Sequence, residues 1–209
     1  MYSLLSPLTV VDSTFTGNKT LARGGAGDGG AIGTDGAAPL TPGRVGGQIR
    51  LCGSTFTRNV AAHGSGGGVY LWACAADRVV VERSTFQENT IDGIGGGARV
   101  SVGPTDWGTT GSITISGVSI LSNTSTGNGG GLYLDCAPTC TVENSTLYAN
   151  TSKAYGGGPS SAPAPTTTPT SRSRRTTSTA TGAPCSEGSS SSTTPSSWGT
   201  RPGTRGGRR

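Results

Sequence analysis

The chain has one methionine and one histidine in 209 residues. That leaves little room for haem ligation, catalytic-histidine chemistry or multi-histidine zinc sites. Charged residues are 13% and aromatic residues 5% of the total. No run of about 18 apolar residues exists, which excludes a membrane-spanning helix. Glycine does not recur at every third position, which excludes collagen. What is abundant is glycine itself, 37 residues, more than twice the usual share of about 7%. The length suits one domain, or one and a half.

The net charge of +5 conceals two unlike segments. Residues 1–158 carry nine Lys/Arg and ten Asp/Glu, a balance of −1, whereas residues 159–209 carry seven Arg and one Glu, a balance of +6. The basicity therefore belongs to the last segment, and the repeat-bearing part has no excess of positive charge with which to hold nucleic acid. Residues 159–209 are rich in Ser, Thr, Pro and Gly, and their only apolar residues are Ala162, Ala164, Ala180, Ala183, Cys185 and Trp198. So few cannot offset chain entropy, and the segment reads as a disordered tail. The change of composition comes abruptly after Gly158, in mid-repeat. A Ser/Thr/Pro stalk and an out-of-frame translation both fit it.

Residues 1–158 are repetitive. Ser13-Thr14-Phe15-Thr16-Gly17-Asn18, Ser54-Thr55-Phe56-Thr57-Arg58-Asn59 and Ser84-Thr85-Phe86-Gln87-Glu88-Asn89 share one template. Ser145-Thr146-Leu147-Tyr148-Ala149-Asn150 matches it, and Val118-Ser119-Ile120-Leu121-Ser122-Asn123 is a looser copy. A glycine pair follows each asparagine: Gly29-Gly30, Gly67-Gly68, Gly96-Gly97, Gly130-Gly131 and Gly157-Gly158.

Alignment on asparagine exposes columns. Leu8, Ile49, Val79, Ile113 and Cys140 form one, and Val10, Leu51, Val81, Ile115 and Val142 the next but one. Apolar residues at alternate positions mark a strand with one buried face. The parity then slips by one before the column of Ser13, Ser54, Ser84, Val118 and Ser145, so the chain must bend there to keep both sets inside. A third strand follows the glycine pair, as Val69-Tyr70-Leu71, Ala98-Arg99-Val100 and Leu132-Tyr133-Leu134. Its middle residue would face water. Three short strands per unit, repeated every 27 to 41 residues, describe a parallel β-solenoid of about five coils. A helical repeat would space apolar residues by 3.6 rather than 2, and antiparallel hairpins would not return the same residue to the same place. In a solenoid equivalent residues stack about 4.8 Å apart. Asn18, Asn59, Asn89, Asn123 and Asn150 would then form a structural ladder of side-chain amides.

These residues resemble a known family. Repeats that pair Phe-x-x-Asn with Gly-Gly-Ala-Ile/Leu/Val characterise polymorphic outer membrane proteins of chlamydial type. Phe15-Thr16-Gly17-Asn18 followed by Gly29-Gly30-Ala31-Ile32 matches both motifs, and Gly67-Gly68-Val69, Gly96-Gly97-Ala98 and Gly130-Gly131-Leu132 match in part. The resemblance covers roughly residues 8–158. It implies a right-handed, single-stranded parallel β-helix of the pectate-lyase-like type, displayed at the cell surface or secreted, often as an adhesin. The family's secretion signal and C-terminal membrane barrel are absent, and Met1 sits only seven residues before the first apolar column. The chain therefore reads as an internal fragment.

The fold also hosts carbohydrate-active enzymes, which need two facing carboxylates. Asp77, Glu82, Glu88, Asp92, Asp106, Asp135 and Glu143 are scattered and read as solvated. Glu82 and Glu143 share a column, about 10 Å apart over two coil spacings. His63 lies before a glycine run and reads as an exposed loop residue. Gly24-Gly25-Ala26-Gly27-Asp28 resembles the glycine-aspartate repeats that bind Ca²⁺ in β-rolls, but its Asp is one place early and the motif occurs once. No catalytic residue, metal site or cofactor is expected. Cysteines 52, 74, 136, 140 and 185 suit an oxidising setting, with Cys136–Cys140 feasible across a short turn and Cys52–Cys74 across neighbouring coils. Of the sequons at Asn18, Asn123, Asn144 and Asn150, only that of Asn144 lies outside the ladder. The expectation is a structural or adhesive segment whose stacked outward residues Tyr70, Arg99 and Tyr133 meet a host surface protein or glycan. A polysaccharide lyase or glycoside hydrolase, or a non-functional fragment, is the alternative.

Overall fold

The computed structural model describes residues 1–21, 27–38, 46–74, 76–103, 111–135, 139–156 and 159–161. Among these there is no helix. The chain winds as a parallel β-solenoid of four sheets. The first contains Leu8–Val11, Gln48–Cys52, Arg78–Glu82, Ser112–Ser116 and Thr139–Glu143; the second contains Thr14–Thr16, Thr55–Thr57, Thr85–Gln87, Ser119–Leu121 and Thr146–Tyr148. The third contains Lys19–Thr20, Val60–Ser65, Thr90–Ile94, Thr124–Ser125 and Thr151–Ser152; the fourth contains Tyr2–Leu4, Ile32–Asp35, Val69–Ala73, Ala98–Val102, Leu132–Asp135 and Pro159–Ser161. Each of the first three sheets has five strands, so five rungs enclose four complete turns. Each turn has four strands, not three. The strand after the asparagine escaped the sequence pattern because at three of its five rungs it is only two residues long, Lys19–Thr20, Thr124–Ser125 and Thr151–Ser152, too short to show an alternation.

The columns read from the sequence are the registers of the sheets. Leu8 pairs with Ile49, Ile49 with Val79, Val79 with Ile113 and Ile113 with Cys140. The slip in parity is a single left-handed residue. Asp12, Gly53, Arg83, Gly117 and Asn144, at the corner between the first two sheets, have φ of 46°, 62°, 45°, 64° and 48°. A second such corner precedes the asparagine, at Gly17, Arg58, Glu88, Ser122 and Ala149, with φ between 53° and 66°. One residue in this conformation turns the chain without spending a loop.

The glycine bend serves two needs. Gly66 has φ of 70°, a conformation that side chains rarely adopt. At Gly67 a Cβ would overlap the Gly96 carbonyl oxygen of the next rung. Pairing of Ile32 with Val69 sets Gly30 over Gly67 and Ala31 over Gly68, so the first unit's glycine pair stands one place earlier than the sequence alignment put it.

The interior is a stack of like groups. Phe15, Phe56 and Phe86 lie with ring centroids 5.0 Å apart and planes at 6°, and Ile120 and Leu147 continue the file. Phe56 is 0% and Phe86 1% exposed; burying such a ring is worth about 1.5–3 kcal/mol. Serine makes a second file: Ser54 and Ser84 Oγ each accept from the backbone N–H of the preceding rung's Ser13 and Ser54, at 3.2 Å, while donating to Cys52 and Glu82 carbonyls.

Candidate functional site

The five asparagines stand in one file inside the second corner. Asn18, Asn59, Asn89 and Asn123 each donate from Nδ2 to Oδ1 of the next asparagine at 2.9 Å. The same Oδ1 accepts the backbone N–H of the preceding asparagine at 2.9–3.0 Å. The other amide hydrogens of Asn59, Asn89, Asn123 and Asn150 go to the carbonyls of Phe15, Phe56, Phe86 and Ile120. Asn59, Asn89 and Asn123 are 0% exposed, so the bonds among these three are made where water cannot substitute. Their role is architectural. Asn144 is an exposed corner residue.

The outward residues Tyr70, Arg99 and Tyr133 meet on the fourth sheet. Arg99 pairs in register with Tyr70 on one side and Tyr133 on the other, and its Cζ lies 5.4 Å from the Tyr70 ring centroid and 5.5 Å from that of Tyr133. A guanidinium between two tyrosine faces is a double cation–π contact. Arg99 Nη2 donates to Asp135 Oδ2 at 2.8 Å, Nη1 to Ser65 Oγ at 2.6 Å, and Ser101 Oγ donates to the same Asp135 oxygen at 2.6 Å. None of the three projects freely into water, as the sequence suggested; each is half-buried by its neighbours. Burial pushes the Tyr70 hydroxyl up to about 12, with Asp28, Asp135 and Asp35 adding to the rise and Arg99 opposing it. Burial and then Asp135 raise Tyr133.

Several contributors were invisible in the sequence. Asp35, Trp72, Ser101 and Asp135 form the next outward file, two residues along each strand. Asp28 reaches the same face from the glycine bend and bonds to Ser65. The signal that could have found them was the alternation Tyr133–Asp135, which puts both on one side of a strand.

Several carboxylates expected to be solvated are engaged. Asp135 has 26% of its side chain exposed and is tied to Arg99. Asp77 is 0% exposed and accepts the N–H groups of Ala37, Gly47 and Cys74 at 2.7, 2.7 and 2.8 Å, closing the loops of two turns on each other. Glu82 and Glu143 lie on alternate rungs through Ser116, and Glu82 is paired with Arg50 at 3.3 Å. Asp106 lies outside the described residues. His63 belongs to the strand Val60–Ser65 rather than a loop, with Nδ1 3.1 Å from Asp92 Oδ2 on the exposed surface. Among the described residues no group of three His, Cys, Asp or Glu is placed to hold a metal ion.

Cys74 is a buried free thiol, which removes the Cys52–Cys74 pairing. Burial, then Asp77 and Asp35, push it up to about 11. Cys52 and Cys140 are disulfide-bonded; Cys136 and Cys185, like the tail from residue 162, lie outside the described residues.

Residues 117–135 match the Chlamydia polymorphic membrane protein repeat. The matched stretch runs from the corner glycine Gly117 through Ile120, Asn123 and the Gly130-Gly131 pair to Tyr133 and Asp135, so it holds the interior positions of the second corner's strands and part of the outer cluster, but not the first sheet's Ile113 and Ile115. No curated protein and no solved structure matches the chain. The parallel solenoid and this match together support a β-helix repeat protein that is similar, over residues 117–135, to the polymorphic membrane protein repeat.

Proposed function

We propose that the chain is a non-enzymatic, surface-displayed or secreted β-helix segment that adheres to a host surface protein or glycan through the outer face of its fourth sheet. The observation that carries this reading is the Tyr70–Arg99–Tyr133 file with its Asp135 counter-ion. Stacking of interior residues is required by the coil, whereas nothing in the coil requires tyrosine and arginine outside it. Tyrosine and arginine are enriched where proteins are recognised, because they offer rigid area together with hydrogen bonds. The repeat's match to a membrane protein family supports a location at the cell surface. The asparagine file serves as the structural ladder that holds this face in register.

The test is binding of the whole chain to host cells and to arrayed glycans. Tyr70→Ala together with Tyr133→Ala should lower binding at least tenfold with the far-ultraviolet dichroism unchanged, in line with the loss of about 2 kcal/mol at a recognition hot spot. Binding that stays the same in the double variant overturns the reading.

A further inference from the structure

The first and last rungs of the coil are unlike, and each lacks what the other offers. The first holds Leu8–Val11, Thr14–Thr16 and Lys19–Thr20; the last holds Thr139–Glu143, Thr146–Tyr148 and Thr151–Ser152. Each of these strands is the edge of its sheet, paired on one side only. Phe15 has one ring face on Phe56 and is half-buried, as are Val142 and Leu147 in the last rung. An open strand edge with an apolar interior behind it is a template for further strands.

The side-chain ladders show which groups are unspent. Within the coil an asparagine Oδ1 accepts both the N–H and an Nδ2 hydrogen of the preceding rung. Among the described residues Asn18 Oδ1 accepts neither. Asn150 gives one amide hydrogen to the Ile120 carbonyl, and its N–H and other amide hydrogen have no following Oδ1. Ser13 Oγ donates to the Val11 carbonyl but accepts no N–H among the described residues. Ser145 Oγ accepts the N–H of Val118, while the Ser145 N–H has no following Oγ. The N–H groups of Thr55 and Val60 reach the carbonyls of Ser13 and Asn18. Those of Thr14 and Lys19, and the carbonyls of Ser145 and Asn150, lack the equivalent bond among the described residues.

We propose that the last rung of this chain stacks, head to tail, on the first rung of a second copy, in the register that joins rungs within the coil. That register sets Val142 on Val10, Ser145 on Ser13, Leu147 on Phe15 and Asn150 on Asn18, and no charged residue on one of its own sign. Asn150 then gives two hydrogens to Asn18 Oδ1, Asn18 Nδ2 bonds the Leu147 carbonyl, and the Ser145 N–H bonds Ser13 Oγ. Two identical ends cannot do this, because donors would face donors, so the contact is heterologous and grows open chains rather than closed pairs. The fourth sheet sets one condition. It has a sixth strand, and Tyr2–Leu4 of one copy needs the place that Pro159–Ser161 of the other holds. Tyr2–Leu4 yields, since Tyr2 and Leu4 are 62% and 56% exposed, and Pro159–Ser161 pairs with Ile32–Asp35 in its stead. The contact uses the ends of the coil and leaves Tyr70, Arg99 and Tyr133 outside it, so it does not depend on the reading of that face.

The test is sedimentation of the whole chain over a range of concentrations, in which species of two, three and more copies should grow in. Thr14→Pro removes an edge N–H of the first rung. Leu147→Lys puts an ammonium at the apolar end of the last rung, with its stem still covering the file. Each variant alone should keep its far-ultraviolet dichroism and self-associate at least tenfold more weakly. An equal mixture should form pairs and stop, because it holds one intact end of each kind. Should Leu147→Lys lose its dichroism, Thr14→Pro against the unaltered chain carries the test. An unaltered chain that stays monomeric, a folded variant that associates as the unaltered chain does, or a mixture of folded variants that fails to pair overturns the proposal.

Discussion

Inside the coil, equivalent positions carry the same residue or one of like character; on the outer face of the fourth sheet they alternate. The phenylalanines at 5.0 Å and the asparagines at 2.9 Å stack like on like, because an aromatic ring, a hydroxyl and an amide each complement a copy of themselves. An amide holds both a donor and an acceptor, so any number can be chained. A charged group repels its own copy. Arg99 therefore lies between two tyrosines and beside an aspartate, an arrangement of unlike groups that repetition cannot generate. The interior explains why the chain folds; the exterior holds what the fold leaves free to vary.

If the interior carries stability, damage there should exceed any damage outside. The largest effect is expected for Phe56→Ala, which opens a cavity in a 0% exposed site and should cost about 3–5 kcal/mol in denaturant unfolding. Next, Asn89→Ala strands the Asn59 N–H groups, the Phe56 carbonyl and Asn123 Oδ1; a loss of about 3 kcal/mol is expected, and a loss as small as that of a surface change would contradict the comparison. Outside, Tyr70 has its folded-state hydroxyl pushed up to about 12, against about 10 in the unfolded chain. Its contribution is intact below pH 10 and is lost as pH rises through about 12, because the unfolded chain sheds the proton first. Tyr70→Phe should reduce the alkaline fall in midpoint between pH 9 and 12. The smallest effect concerns Asp28, whose carboxyl is raised by burial. The folded state then favours the protonated form, so Asp28→Asn should raise the unfolding midpoint slightly at neutral pH, and the gain should vanish in acid.

Much of the coil was legible. A period of two followed by a slip at Ser84 located a strand, a corner and a second strand, and the corner proved to be the left-handed Arg83. The second corner, at Glu88, gave no signal because its column holds Gly17, Arg58, Glu88, Ser122 and Ala149, residues with nothing in common but their φ. Thr124–Ser125 is held by its neighbours on either rung rather than by propensity, so a single sequence could not show it. Asp77 was misread as solvated because the loops that bury it come from another turn. The feasible Cys52–Cys74 pairing rested on spacing alone, which does not fix the direction of the side chain.

The sequence by itself determined the register of the first two sheets: hydrophobic alternation and asparagine recur at fixed offsets, and each offset has one energetically acceptable place in a coil. Only the tertiary structure decided the contacts made on the outer face. Tyr70, Arg99 and Tyr133 lie 29 and 34 residues apart along the chain, and Asp28 and Asp35 are more distant still from Asp135. Their contacts depend on which side chain leans over which rung, and that is set by packing between turns, where local pattern carries no information.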